Sequence, residues 1–178
     1  ALTLATDSFF DSKNLLNVLR QICINALLAF GMTFVLIIGG IDLTVGSVVG
    51  ASGVAVVMLM EAGIPMVPAI LLSLLFGAVI GLINGVIIAT TGMPPFIVTL
   101  SLMGSIRGLA YIITDGRSVA SSNSTFTSMG NGYFLGIPIP IYILVIVMII
   151  VSTILYKTRF GRRMYAIGGN PTAARYTG

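Results

Sequence analysis

The chain has 178 residues, 57% of them hydrophobic and 8% charged, with a mean hydropathy of +1.09. Soluble domains carry about 25% charged residues, so this composition excludes an ordinary soluble domain and points to an all-α, polytopic transmembrane helix bundle. The net charge of +4 is no nucleic-acid footprint, because five of the nine basic residues crowd into the last 22 positions without a groove-like stripe, and no nucleic-acid partner is expected. The apolar runs are continuous rather than alternating, which argues against a β-barrel. Cys23 is the lone cysteine and histidine is absent, so neither a disulfide framework nor a transition-metal site is expected; Cys23 reads as a packing residue.

Residues 1–20 are mixed. Phe9-Phe10-Asp11-Ser12, then Lys13 to Arg20 with Leu15, Leu16 and Leu19 at helical spacing, read as an interfacial amphipathic turn or as a helix start capped by Asp11 or Ser12. Five spans of roughly membrane length follow, at about 22–38, 43–60, 66–89, 95–113 and 139–156. Gly39-Gly40 ends the first, and Asp42 can cap the second through its side-chain oxygen. A buried carboxylate is costly, so this acid marks a polar hinge around which the other spans pack. Glu61 to Pro65 is a turn, and Thr90 to Pro95 breaks the third span from the fourth. The Ser/Thr/Asn/Gly-rich stretch 114–138 is an exposed loop, too polar to span.

The tail 157–178 holds Lys157, Arg159, Arg162, Arg163 and Arg175 and no acid, which places it in the cytoplasm by the positive-inside rule. Counting back puts 61–65, 114–138 and residues 1–20 outside. The chain opens on Ala1 with no charged stretch before an apolar run, so no signal peptide is read, and it stops at Gly178 within an expected helix. A fragment with an earlier span and several later spans missing is expected.

No catalytic set is present. There is no phosphate-binding loop, no histidine for a triad, and Asp42 and Glu61 lie at opposite ends of one span. The chain is expected to be no enzyme and to hold no cofactor. The polar groups within spans carry the functional reading, each beside a plainer one. Asp42, with Thr44 beyond it, caps a hairpin or lines a cavity at a broken helix. Asn84 hydrogen-bonds another helix or a sugar hydroxyl, and Arg107 snorkels to the interface or faces a wet pathway with Thr99 and Ser101. Glycines repeat every fourth residue at 77, 81 and 85, at 46 and 50, and at 104 and 108, as close-packed helices in lipid require whether or not a substrate path runs between them. Near the end, Gly168-Gly169 reads as loop, Asn170 as N-cap, Pro171 as the first helical position, and Thr172-Ala173-Ala174-Arg175 as a short helix. That helix is a docking knob for another protein or a link to a further span.

Three stretches together resemble a known family: GMTFVLIIGGIDLTVGS at 31–47, PPFIVTLSLMGSIRGLAYIITDGRSV at 94–119 and TRFGRRMYAIGGNPTAARYTG at 158–178. They are similar to the permease subunits of bacterial ABC sugar importers of the ribose/xylose/arabinose/galactofuranose group. The resemblance covers nearly the whole chain but singles out no sugar. It implies a multi-pass protein of the bacterial inner membrane that pairs with a second permease copy. It further implies a cytoplasmic ATPase that carries the ATP and a periplasmic or lipid-anchored sugar-binding protein. It makes about 170–178 the coupling helix, with Ala173 and Ala174 as its small-residue pair. The implied mechanism is a lever: ATP binding moves 170–178, the fifth span passes the motion on, and the hinge at 39–46 alternates access. A different class, half of an ion-gradient-driven secondary transporter, finds support in the broken helix with its acid at Asp42.

Overall fold

The computed structural model describes residues 12–176, with side chains from residue 14. The expected interfacial segment Phe9–Asp11 and the last two residues of the expected coupling helix lie outside that range. Within it the chain is almost wholly helical: α1 (Ser12–Ile37), α2 (Val45–Glu61), α3 (Met66–Thr91), α4 (Pro95–Ile113), α5 (Ser124–Asn131), α6 (Ile139–Lys157), α7 (Arg159–Gly169) and α8 (Pro171–Tyr176). A small antiparallel hairpin, β1 (Tyr133–Phe134) with β2 (Ile137–Pro138), precedes α6. The chain divides into two compact units, Gly40–Phe126 and the remainder, so one division falls between the two glycines of the expected hinge.

Four helices, α1, α3, α4 and α6, are long and apolar enough to cross a membrane. The second expected span is shorter, because α2 starts only at Val45 and has 17 residues, the low end of what spans. Apart from α1, which begins at Ser12 rather than near residue 22, the expected boundaries move little elsewhere, and the punctuation explains them. Gly39 takes φ 78° and its N–H bonds to Leu36 O at 3.0 Å, closing α1 in a left-handed turn that a side chain would strain. Gly92 does the same for α3 at φ 67°, bonding Ile88 O, and Pro95 then opens α4.

The segment 13–20 is helical, as the helix-start reading expected, and runs on into α1 without a break. Two expectations are corrected. The stretch 114–138, expected to be loop throughout, contains α5 and the hairpin. Gly168-Gly169, expected to be loop, forms the last turn of α7.

In the unit 40–126, α2 packs against α3 and α4. Ala51, Ile80 and Ile106 meet at one level, with Val48, Phe76, Leu102 and Ala110 around them. At the next level Val56, Val57 and Ala69 meet, covered by Ile64, Val119 and Phe126. Small residues sit at the crossings: Ala69 is fully buried, and a Cβ on Gly77 would rest 3.5 Å from Val48. At the other glycines of the ladders an added Cβ would meet nothing within 4 Å, so of the expected packing faces only Gly77 makes a close helix approach. Ser73 donates to the Ser52 carbonyl at 2.5 Å, tying α3 to α2. The outer faces remain apolar and exposed, Leu71 at 61% and Leu82 at 65%, as suits a hydrocarbon solvent. In the other unit α1 lies along α6 and meets α7, and Cys23 is buried.

Candidate functional site: a tied turn, an arginine groove and a capped terminal helix

The turn between Gly40 and α2 is held by three side chains from three parts of its unit. Asp42 Oδ1 accepts from the backbone N–H of Thr44 at 2.8 Å and from its hydroxyl at 2.6 Å. Asn84, on α3, donates its amide to the same hydroxyl at 3.1 Å. Thr99, on α4, donates to the carbonyl of Ile41 at 3.2 Å and shares that proton with the Pro95 carbonyl at 2.9 Å. Thr44, Asn84 and Thr99 are almost completely buried.

These contacts bear on the expected roles. Asp42 Oδ1 does accept from a backbone N–H beyond it, that of Thr44, but Thr44 rather than Asp42 holds the N-cap position of α2. Asn84 hydrogen-bonds a neighbouring segment, the first of its two expected roles. Thr99 is sealed inside the unit, and Ser101 bonds back to Ile97 O on an exposed face, so neither joins Arg107. Among buried side-chain polar atoms of the described residues, Asn84 Oδ1 alone lacks a hydrogen bond.

Arg107 opens onto a groove of about 800 Å³. One wall is a single face of α2 extended back to Leu43, two residues before it, with Leu43, Ser47, Ala51 and Val54 at helical spacing and Gly46 and Gly50 leaving it bare. The other wall is α4, with Met103, Arg107 and Tyr111. The third side is the chain after α4, which turns back on itself. Asp115 at φ 50° and Gly116 at φ 69° are consecutive left-handed residues, and the Gly116 N–H bonds to Tyr111 O at 2.9 Å. This reversal brings Arg117 and Ser118 to the groove and Val119 to the core. No acid lines the groove, and neither arginine pairs with a carboxylate among the described residues. Arg117, Tyr111 and Ser47 escaped the sequence reading. Arg117 lies in the stretch read as an exposed loop, and only the Asp115-Gly116 pair signals a return of the chain.

In the other unit, α7 and α8 form a basic terminal pair. Thr158 caps α7 by accepting from Gly161 N–H at 3.3 Å, and Asn170 caps α8 by accepting from Ala173 N–H at 3.0 Å, with Pro171 at the first helical position as expected. One face of α7 is buried at Gly161 and Met164; a Cβ on Gly161 would collide with the Leu155 carbonyl, and one on Gly168 with the Ile37 carbonyl. Phe160 tilts against Phe34 with ring centroids 6.4 Å apart. Arg162, Arg163 and Arg175 are exposed, as is Ala173, while Ala174 is half-buried.

A family model described as "Branched-chain amino acid transport system / permease component" matches residues 14–178. The chain is 46% identical over 173 residues to the ribose import permease protein RbsC of Bacillus subtilis, covering 96% of this chain and 54% of that protein. It is 37% identical over 177 residues to the L-arabinose ABC transporter permease protein AraH of Azospirillum brasilense, covering 99% and 52%. It is 33% identical over 177 residues to the D-allose transport system permease protein AlsC of Escherichia coli, covering 99% and 54%. The chain thus spans about half the length of the curated relatives it matches. No solved structure matches it. With four candidate spans and this match over nearly its whole length, the chain is a multi-pass protein of the bacterial inner membrane and belongs to the permease-component family that includes the ABC sugar-importer permeases.

Proposed function

We propose that the chain acts as a transmembrane permease subunit of an ATP-driven importer and forms part of the pathway for a ribose-like monosaccharide. The observation that carries this reading is the 46% identity to a ribose import permease across 96% of the chain. Two copies of the permease enclose the pathway, and the groove at Arg107 lies on it. A separate ATPase supplies ATP hydrolysis and grips α7 and α8, where Arg162, Arg163 and Arg175 present cations and Ala173 and Ala174 leave room for close contact. A sugar-binding protein delivers the substrate from the opposite side. The basic tail faces the cytoplasm, since Lys157 to Arg175 carries five cations and no acid. ATP binding biases the permease between two packings, and access alternates as their populations shift.

The geometry does not favour a secondary transporter. That reading rests on Asp42, whose Oδ1 is engaged by the Thr44 N–H and hydroxyl inside its own turn. Uptake of labelled ribose by cells carrying the full-length transporter tests the proposal. Depleting ATP should abolish uptake while a protonophore, with ATP maintained, leaves it intact. The reverse pattern would overturn the importer reading.

A further inference from the structure

We infer that the groove between α2 and α4 is a holding site for one neutral monosaccharide, with Arg107 and Arg117 as its donors and Tyr111 as its flat wall; this rests on the importer reading above. Its volume of about 800 Å³ lies within the range of small-molecule sites and exceeds what one sugar ring fills. Its chemistry is lopsided. Two guanidiniums can only donate hydrogen bonds, and no lining carboxylate accepts them. The occupant must therefore be rich in acceptors.

Ser47 and Ser118 add hydroxyls that donate or accept, and Thr114, whose proton goes to the Ala110 carbonyl at 3.0 Å, can accept, which suits a ligand whose groups do both. Tyr111 offers an aromatic face to the C–H side of a sugar ring, and the bare backbone at Gly46 and Gly50 lets the ring lie close to α2. Arg107 stands six residues before the end of α4, roughly 9 Å along its axis, so the site lies below the helix end rather than at its rim. Arg117 reaches the same groove only because the chain reverses at Asp115-Gly116. A simple anion is the chemical rival for two unpaired guanidiniums, and the test separates the two.

The full-length permease, assembled with its ATPase in proteoliposomes and carrying Cys23→Ser and Ser47→Cys, would be treated with a neutral water-soluble maleimide. D-ribose, D-allose, L-arabinose, D-fructose and sodium sulfate would be added one at a time. At about ten times its half-protecting concentration, one of the sugars should slow modification about tenfold by mass action. Adding Arg107→Gln and Arg117→Gln should remove that protection. Protection by none of the four sugars, or by sulfate at lower concentration than any sugar, would overturn the assignment. Because the first arm keeps both arginines, it decides even where the double variant fails to assemble. ATP-driven sugar uptake, measured on vesicles in which Ser47 and Cys23 are unchanged and to which the transporter's sugar-binding protein is supplied, separates the two readings: uptake without protection removes only the holding site, and no uptake of any sugar removes the importer reading.

Discussion

Asn84 donates to the Thr44 hydroxyl at 3.1 Å, and Thr44 hands its own proton to Asp42 at 2.6 Å. The direction of this relay is forced. The Asn84 amide nitrogen only donates, so the Thr44 oxygen must accept from it and the Thr44 proton must point at Asp42. Thr44 is therefore the member whose loss leaves the buried Asn84 amide without a partner, while Asp42 Oδ1 keeps the Thr44 backbone N–H at 2.8 Å. Thr44→Val should destabilise the full-length protein in detergent by about 2 kcal/mol, since an orphaned buried group costs about 1–3 kcal/mol. Asn84→Ala leaves the Thr44–Asp42 bond intact and also removes the unbonded Oδ1, so it should cost only about 1 kcal/mol, the range of interhelical hydrogen bonds in membranes. Thermal unfolding of both variants checks the order; equal losses would contradict it.

Gly168 and Gly169 are neighbours with opposite surroundings. A Cβ at Gly168 would run into the Ile37 carbonyl, whereas one at Gly169 would meet nothing within 4 Å. Backbone cannot yield as a side chain can, so Gly168→Ala should lower the unfolding temperature while Gly169→Ala leaves it unchanged or raises it through better helix propensity, by up to about 1 kcal/mol.

Ala174 is half-buried on α8, one turn from the Asn170 cap. Ala174→Asp in the full-length protein should abolish association with the ATPase, read by co-purification, because it sets an unpaired carboxylate where close contact is required. Asn170→Ala should weaken the association less, since a lost cap costs about 1 kcal/mol, and Asn170→Asp should preserve it. Unchanged co-purification of Ala174→Asp would remove α8 from the interface.

Arg107→Gln should reduce transport while leaving expression near normal, because the guanidinium faces the groove and holds no structural ion pair among the described residues. A fall of about tenfold in kcat/KM for uptake corresponds to the loss of about 1.4 kcal/mol of interaction. Equal loss of expression and transport would return Arg107 to a structural role.

Orientation is open to direct labelling. In a Cys23→Ser background, Arg162→Cys and Arg163→Cys should react with a membrane-impermeant thiol reagent only after the cells are opened, because both positions are exposed on α7 within the basic tail. Labelling in intact cells would invert the topology.

Helix limits were legible where one residue decides the backbone. Gly39, Gly92 and Pro95 each act through their own φ or missing N–H, and the Asn170-Pro171 pair acts through a cap three residues long. Features that depend on partners distant in sequence were not legible. Asp42 could have bonded several groups, and the hydroxyl of Thr44 won because Asn84, forty residues on, holds it in place. Gly168-Gly169 carries the composition of a loop, yet α7 stays helical there because its glycine face fits against α1 and α6. The groove needed both failures undone: Arg107 was visible alone, but the neighbours expected for it were Thr99 and Ser101. Helical rotation sends those two elsewhere and brings Tyr111 and Arg117 instead.

The abutment of Gly168 on the Ile37 carbonyl joins two main chains with no side chain between them. Ile37 stands two residues before Gly39, whose left-handed turn ends α1. Such a joint leaves no room for a side chain between the end of α7 and the last turn of α1, so any thickening of either main chain there must displace one helix end from the other.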